Sequence, residues 1–406
     1  MSNAWMTAAE AARALRVTRS TLYAYVSRGY IRSEPAPGRT RARRYAREDV
    51  ERVRRRAEER RDPTRATQRA LQWGLPVLES GITLVADGRL YYRGHDAIAL
   101  ARERSVTDVA SLIWGAGLAA PSQHVASATP PPAASSRRRA GGSFIARAQT
   151  MLAAAPTADP AAFDLRPESA ARTGMRILAL LVRAAVGRSA RGTVDEQLAA
   201  GWRAGRAAAP VMRATLILCA DHELNVSAFT ARCVASAGAT PYAVVLAALS
   251  ALGGTRHGGA TVRAAAFLAS LRRSRNVRTA LRDRLRAGEA LPGFGHPLYP
   301  RGDPRAAEIF RMLREHGASA ELAFATRVAD AGERLLGERP NLDFALATLE
   351  RVLRLPQGAG LALFAIGRSI GWIGHAIEQY ATGQLIRPRA RYVGAVPGEP
   401  GGVAGT

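Results

Sequence analysis

The chain has 406 residues, 47% hydrophobic and 6% aromatic, enough for two or three domains whose cores are packed largely by alanine, leucine and valine. Its formal charge is +25 and all 58 basic residues are arginine, a set that a GC-rich genome encodes as readily as selection for bidentate anion contacts does, so charge alone does not establish nucleic-acid binding. The two cysteines, Cys219 and Cys233, have no metal-ligand spacing and read as structural thiols in a reducing cytoplasm.

The charge is unevenly placed. Residues 1–70 hold 18 arginines against 8 acidic residues, a net of +10, which favours a polyanion there: nucleic acid, acidic lipid or nucleotide. The opening MSNAWMTAAE lacks a basic start followed by an apolar run, so no signal peptide is expected. The longest apolar stretch, YAVVLAALSAL at 242–252, is well short of the roughly 18 to 20 residues that span a bilayer. A soluble cytoplasmic protein with no membrane partner is expected.

Residues 1–61 read as a first domain. Thr7 and Glu10 have capping-box spacing, and the helix AAEAARAL follows. A second helix begins at Thr18 and stops at Gly29. Two short helices, a tight turn and basic residues opening the second helix predict a helix-turn-helix. The Pro-Gly in YIRSEPAPGRTRARRY predicts a hairpin, and EDVERVRRRAEER a closing helix with acids at its positive end. This unit, through TAAEAARALRVTRSTLYAYVSRGYI and RRYAREDVERV, resembles the MerR/excisionase family of winged helix-turn-helix domains. The resemblance implies that Arg19, Ser20, Thr21 and Tyr23 face the major groove and that Arg41, Arg43 and Arg44 contact phosphates. A basic helical cap used only for assembly is the plainer alternative.

Residues 62–75 read as a linker. Asp87-Gly88 lies between two β-prone runs, ITLVA and RLYYRG, which predicts a hairpin. Residues 120–143, rich in proline, alanine and serine with an arginine run, predict a flexible insertion. From 166 to 392 helical patterns succeed one another with little period-two alternation, so the main body is expected to be all-α. The Gly/Pro-rich end, 396–406, is expected to be disordered.

Among seven histidines, three have unusual settings. His257 lies in GGTRHGGAT, where flanking glycines permit close backbone approach to a ligand, and His296 in the loop PGFGHPLYPRGDPRA. His222, in ADHELN, separates two apolar helix patterns. His124 and His316 read as surface residues, His95 and His375 as structural ones. Asp343, after Pro340-Asn341, reads as either a helix N-cap or a functional carboxylate. Arg305, Arg387 and above all Arg368 stand apart from solvated faces. Arg368 sits in the apolar FAIGRSIGWIGHAIEQ and needs an anionic partner, a salt bridge or a substrate carboxylate.

Six segments in order over 76–394 resemble the citrate synthase family: ITLVADGRLYYRGHD, DHELNVSAFTAR, GGTRHGGA, GFGHPLYPRGDPRA, RPNLDF, and LFAIGRSIGWIGHAIEQ followed by IRPRARYVG. The resemblance implies an all-α homodimer, with a large domain at 76–258 and 353–395 and a small domain at 259–352 that closes over the substrates. It implies that Asp343 takes a proton from the acyl-CoA, that His257 hydrogen-bonds the enolate, and that His296 polarises the ketone of the 2-oxo acid. His222, Arg305 and Arg368 would bind oxaloacetate, and Arg387 would come from the neighbouring subunit. Arg301 and Asn341 would bind CoA. No metal and no resident cofactor is implied, the acyl-CoA being a substrate. Pro297 and Pro300 stand where the family commonly has basic residues, with Arg301 as a substitute.

The chemistry is consistent with those residue types. A thioester α-proton is too weak an acid for a free carboxylate in water, so donors must already be in place where the enolate forms. A dianionic oxo acid calls for arginines, and closure protects the intermediate from water. Condensation of acetyl-CoA with oxaloacetate to citrate is the leading expectation. Propionyl-CoA, giving 2-methylcitrate, differs by one methylene, a discrimination of about 1–3 kcal/mol. A DNA-binding regulator that senses acyl-CoA or oxaloacetate is the reading from another class.

Overall fold

The computed structural model describes residues 5–36, 42–61, 78–116, 142–188, 191–390 and 392–394. Arg41, His124, the expected linker at 62–75, residues 120–141 of the expected insertion and the tail at 396–406 lie outside them. The chain divides into two units, Met1–Glu79 and Ser80–Thr406.

The first unit runs β1 (Trp5–Thr7), α1 (Ala8–Leu15), α2 (Arg19–Ser27), β2 (Ser33–Pro35), β3 (Arg43–Ala46) and α3 (Arg47–Arg61). Thr7 and Glu10 form the reciprocal cap read from the sequence: the Thr7 amide donates to Glu10 Oε2 at 2.8 Å and the Glu10 amide to Thr7 Oγ1 at 3.3 Å. Arg16 takes a left-handed backbone, φ 53°, and Thr18 caps α2 through the Thr21 amide, so the chain turns within three residues. A sheet in the order β1-β3-β2 flanks the helices, all pairs antiparallel. β1 was not legible in the sequence. Leu22, Ile31, Tyr45 and Val50 form the core. Buried Asp49 accepts from the Arg32 amide at 2.9 Å and from its Nε at 2.8 Å, which pins the start of β2 to α3.

In the second unit Asp87 and Gly88, both at positive φ, close the expected hairpin of β4 (Thr83–Ala86) and β5 (Arg89–Tyr92), to which β6 (His95–Asp96) adds. Helices α4 (Ala97–Glu103), α5 (Val106–Ile113), α6 (Phe144–Ala154), α7 (Pro167–Val186) and α8 (Val194–Gly201) follow. Next come α9 (Ala209–Leu218), α10 (Val226–Ser236), α11 (Pro241–Leu252), α12 (Gly259–Leu271) and α13 (Val277–Arg286). The last are α14 (Pro304–His316), α15 (Ala320–Leu336), α16 (Leu342–Val352) and α17 (Ala359–Thr382).

Helix α17 organises this body. It is long and apolar enough to cross a membrane, yet 94% of its most apolar window is buried by neighbouring helices, as expected of a core helix that is apolar on all sides. In the sequence 242–252 stands out as the longest apolar stretch instead, because Arg368 and His375 interrupt α17. Small residues let neighbours approach it closely. A Cβ at Gly367 would lie 2.4 Å from the Leu216 carbonyl oxygen, and one at Gly371 2.4 Å from that of Ala220. The end of α9 and residues 219–222 therefore rest directly on α17. Helix α16 packs against α12, α14 and α17, bringing three loop ends toward the same region.

Candidate active site

Residues 219–222 are bolted to α17 from both sides. Arg368 Nε donates to the Cys219 carbonyl at 2.7 Å, and the Gly371 amide to that of Ala220 at 2.9 Å. The guanidinium lies 4.7 Å above the Phe364 ring, is 2% exposed, and neither terminal nitrogen has a partner among the described residues. A buried cation with two donors free is a built receptor for a planar anion. From the hairpin, Thr83 Oγ1 donates to Asp221 Oδ2 at 2.6 Å, and Tyr92 OH to the Ile217 carbonyl at 3.0 Å. His222 follows, buried, with Nε2 3.0 Å from Tyr299 OH. Burial, and then the charges of Arg305 and Arg368, push its pKa well below the ordinary value, so it is neutral.

His257 stands between α11 and α12, where Gly258 is required: a Cβ there would lie 2.5 Å from the Leu252 carbonyl oxygen. Its Nε2 is 2.9 Å from Ser227 Oγ. That hydroxyl also receives the Trp372 indole N–H at 3.1 Å and donates to Asn225 Oδ1 at 2.8 Å. Asn225 Oδ1 accepts two backbone amides as well, as the cap of α10. Ser227 thus joins the His257 imidazole to the Trp372 indole and the cap of α10 in one buried network. Burial and the Arg368 charge lower the His257 pKa to about 4, so the ring is a neutral donor.

The loop before α14 supplies the second imidazole. His296 Nδ1 accepts from the Leu298 amide at 3.2 Å, which leaves the proton of the neutral ring on Nε2. Burial and Arg305 lower its pKa to about 4. Its ring centroid lies 5.1 Å from that of His222 and 5.0 Å from that of Tyr299. Asp303 caps α14 and grips the Arg305 guanidinium through Nε at 2.9 Å and Nη2 at 2.8 Å. It also accepts the Leu342 amide at 3.1 Å, which ties this loop to the start of α16.

At that start the N-cap is Asn341, whose Oδ1 accepts from the Asp343 amide at 3.0 Å while its Nδ2 donates to the Gly295 carbonyl at 3.0 Å. Asp343 is thus relieved of the capping role that the sequence left open. Its carboxylate accepts a hydrogen bond from Thr261. Burial raises its pKa, with Thr261 and Arg305 opposing. A carboxylate raised by burial beside imidazoles held neutral is the pairing of base and donors that acid–base chemistry at a carbon centre needs.

The site-candidate residues thus divide. Arg368 acts on both His222 and His257, and Arg305 on His222, His296 and Asp343, so these six form one constellation. Asn341 is beside it with both side-chain groups engaged. Arg301 is exposed and reaches the Asp87 carbonyl in the hairpin, and Arg387 is exposed beyond α17. Asp221, Ser227, Tyr299, Asp303, Thr261 and Trp372 were missed. Asp303, next to Pro304 and two residues before Arg305, had a visible cap signal; the others are marked by nothing local. Cys219 is buried and its thiol is pushed up to about 12, as suits a structural thiol. In the first unit Arg19, Ser20 and Tyr23 of α2 are exposed, and Thr21 Oγ1 is 2.9 Å from Thr18 Oγ1. Arg43 is bonded to Ser33, and Arg44 pairs with Glu34 while stacking 5.1 Å over Trp5.

Residues 70–389 match the family described as citrate synthase, C-terminal domain, and residues 5–57 match a helix-turn-helix domain. Putative citrate synthase 2 of Mycobacterium tuberculosis is 37% identical over 193 residues, 46% of this chain and 52% of that protein. Citrate synthase 2 of Bacillus subtilis is 37% identical over 44% of this chain and 49% of its own length. 2-Methylcitrate synthase 2 of Corynebacterium glutamicum is 33% identical over 44% and 48%. The chain spans about half the length of the curated relatives it matches. The citrate synthase of Thermotoga maritima superposes with a TM-score of 0.68 at 26% identity, covering 80% of this chain and 96% of that one. The Thermoplasma acidophilum enzyme, in a ternary complex with carboxymethyl coenzyme A and oxaloacetate, shares the fold with a TM-score of 0.67 at 24% identity over 83% and 98%. With most of its length matched, this chain belongs to the citrate synthase family.

Proposed function

We propose that the chain condenses acetyl-CoA with oxaloacetate and water to give citrate and CoA. The observation that carries this reading is the opposite setting of two kinds of group in one site: the Asp343 carboxyl is raised by burial, while His257 and His296 are held neutral with pKa values of about 4. Ionised Asp343 takes a proton from the acyl α-carbon as the thioester oxygen gains charge. Neutral His257 donates an N–H to that oxygen, so the enolate forms against a donor already in place. The enolate carbon attacks the ketone of the oxo acid, and the Nε2–H of His296 passes its proton to the new alkoxide. Water then cleaves the thioester and releases CoA. Arg368, with its free terminal nitrogens, takes one carboxylate of the oxo acid, with His222 and Arg305 beside it. Closure of residues 259–352 over the rest, and Arg387 arriving from a second subunit, belong to the same reading, as do CoA contacts from Arg301.

Free-thiol release from acetyl-CoA and oxaloacetate tests the reading. Asp343→Ala should abolish turnover in a folded protein; equal rates in both would overturn it. The similarity to a 2-methylcitrate synthase supports a second reading with propionyl-CoA, and the ratio of the two rates decides between them. The helix-turn-helix match and the exposed Arg19, Ser20 and Tyr23 support DNA contact by the first unit. A gel shift at moderate salt that shows no binding above background would remove that role.

A further inference from the structure

Asp221 immediately precedes His222 and is wholly buried, yet none of the chemistry above uses it. Two elements hold it. Thr83 of β4 donates to Oδ2 at 2.6 Å. His375 of α17 brings Nε2 to 3.2 Å from Oδ1, close but poorly aligned for a hydrogen bond. Gly371, also on α17, leaves the room it occupies: a Cβ there would lie 2.3 Å from Oδ1. His375 is itself wholly buried, and its Nδ1 has no partner among the described residues.

The neighbours of Asp221 belong to the oxo-acid subsite. Arg368 lies one turn before Gly371 on α17, and its Nε bonds the carbonyl of Cys219, two residues before Asp221. Burial lowers the Arg368 pKa, and the charge of Asp221 is the strongest influence opposing that. Arg305 is gripped bidentately by its own aspartate, Asp303. Asp221 makes no such contact with Arg368, whose terminal nitrogens stay open. A buried carboxylate whose charge acts on an unfilled guanidinium would be drawn onto it unless held elsewhere.

We propose that Asp221 is the positioning carboxylate of the oxo-acid subsite, held off Arg368 by His375 and Thr83 so that it fixes and charge-balances the arginine without occupying the face that takes the substrate. This rests on the reading of Arg368 and His222 as ligands of the oxo acid. Asp221→Asn removes the counter-charge. His375→Leu frees the carboxylate to swing onto Arg368 and compete with substrate. His375→Gln keeps an N–H that reaches Oδ1.

The test uses the full chain and two readouts. Oxaloacetate binding is measured by calorimetry without acyl-CoA, and the KM for acetyl-CoA separately. Asp221→Asn and His375→Leu should weaken oxaloacetate binding roughly tenfold or more while the KM for acetyl-CoA stays within about twofold. His375→Gln should recover most of the loss. Unchanged binding in both D221N and H375L, or a parallel loss for both substrates that H375Q does not rescue, overturns the proposal. If Asp221→Asn does not fold, the H375L and H375Q pair carries the same comparison. The second readout needs no substrate: in ¹⁵N-histidine spectra of the unliganded chain, D221N or H375L should shift the His222 resonances. If the wild-type chain fails to bind oxaloacetate, the functional reading falls and the spectra decide alone: shifted His222 signals support the positioning role, unmoved ones overturn it.

Discussion

Ser227→Ala tests the anchoring of the His257 ring. The hydroxyl is wholly buried and meets His257 Nε2 at 2.9 Å, the Trp372 indole nitrogen at 3.1 Å and Asn225 Oδ1 at 2.8 Å. Alanine has two separable effects. It strands the Trp372 N–H, whose residue is fully buried, and an unsatisfied buried donor costs about 1–3 kcal/mol. It also removes the hydrogen bond that anchors the His257 ring. At a net worth of about 0.5–1.5 kcal/mol, that bond favours the anchored ring position roughly two- to tenfold. Asn225 is little affected, because its Oδ1 keeps both backbone amides. Thermal unfolding should therefore drop by a few degrees, and kcat in the thiol-release assay should fall roughly two- to tenfold, with the KM for the oxo acid nearly unchanged. An unchanged kcat in a destabilised variant would refute the anchoring of His257 by Ser227. A loss confined to the KM for the oxo acid would place Ser227 with His222 rather than His257.

Asp343→Asn should lower kcat by about 10²–10⁴, read by thiol release. Because Asn341 does the capping, and burial raises the Asp343 pKa, removing that charge should leave stability at pH 7 unchanged or slightly higher, read by denaturant unfolding. His257 and His296 have native pKa values of about 4 against an ordinary 6.5, so the unfolded chain binds more protons between those values. Stability is then lost as pH falls from about 6.5 to 4, by at most about 3 kcal/mol per ring less what solvent screens, and His257→Asn should flatten that loss in calorimetry across this range. Gly371→Ala should cost about 1–3 kcal/mol because its methyl meets the Asp221 carboxylate and a backbone carbonyl. Gly374→Ala, which meets the Ile113 γ2-methyl at 2.7 Å and the backbone no nearer than 3.4 Å, should cost less, and equal unfolding midpoints for the two would sink the close-approach argument.

Much of this protein was legible before any coordinates. The capping box at Thr7, the Asp87-Gly88 turn and the helix start at Thr18 depend on interactions within a few residues, so local spacing states them. His257 and His296 stood out because glycine and proline around them rule out a regular helix, and Arg368 because a guanidinium inside an apolar helix needs an anion. The six ordered segments carried the family.

Other features exist only across large separations in the chain. β1 is three residues whose strand character comes from pairing with β3. Whether Asn341 or Asp343 capped α16 turned on Thr261, 82 residues away, taking the carboxylate. Ser227 and Trp372, 145 residues apart, meet beside the His257 ring, and His375, read as structural from the sequence, meets Asp221 only because Gly367 and Gly371 let residues 219–222 lie on α17. Protonation followed the same rule: a histidine's letter fixes its ordinary pKa, but burial and the arginines folded beside them hold His257 and His296 neutral, and burial raises the Asp343 carboxyl against Arg305. Sequence determined which groups and which local turns were available; desolvation and charge, which depend on what the fold brings within a few ångströms, decided what those groups can do.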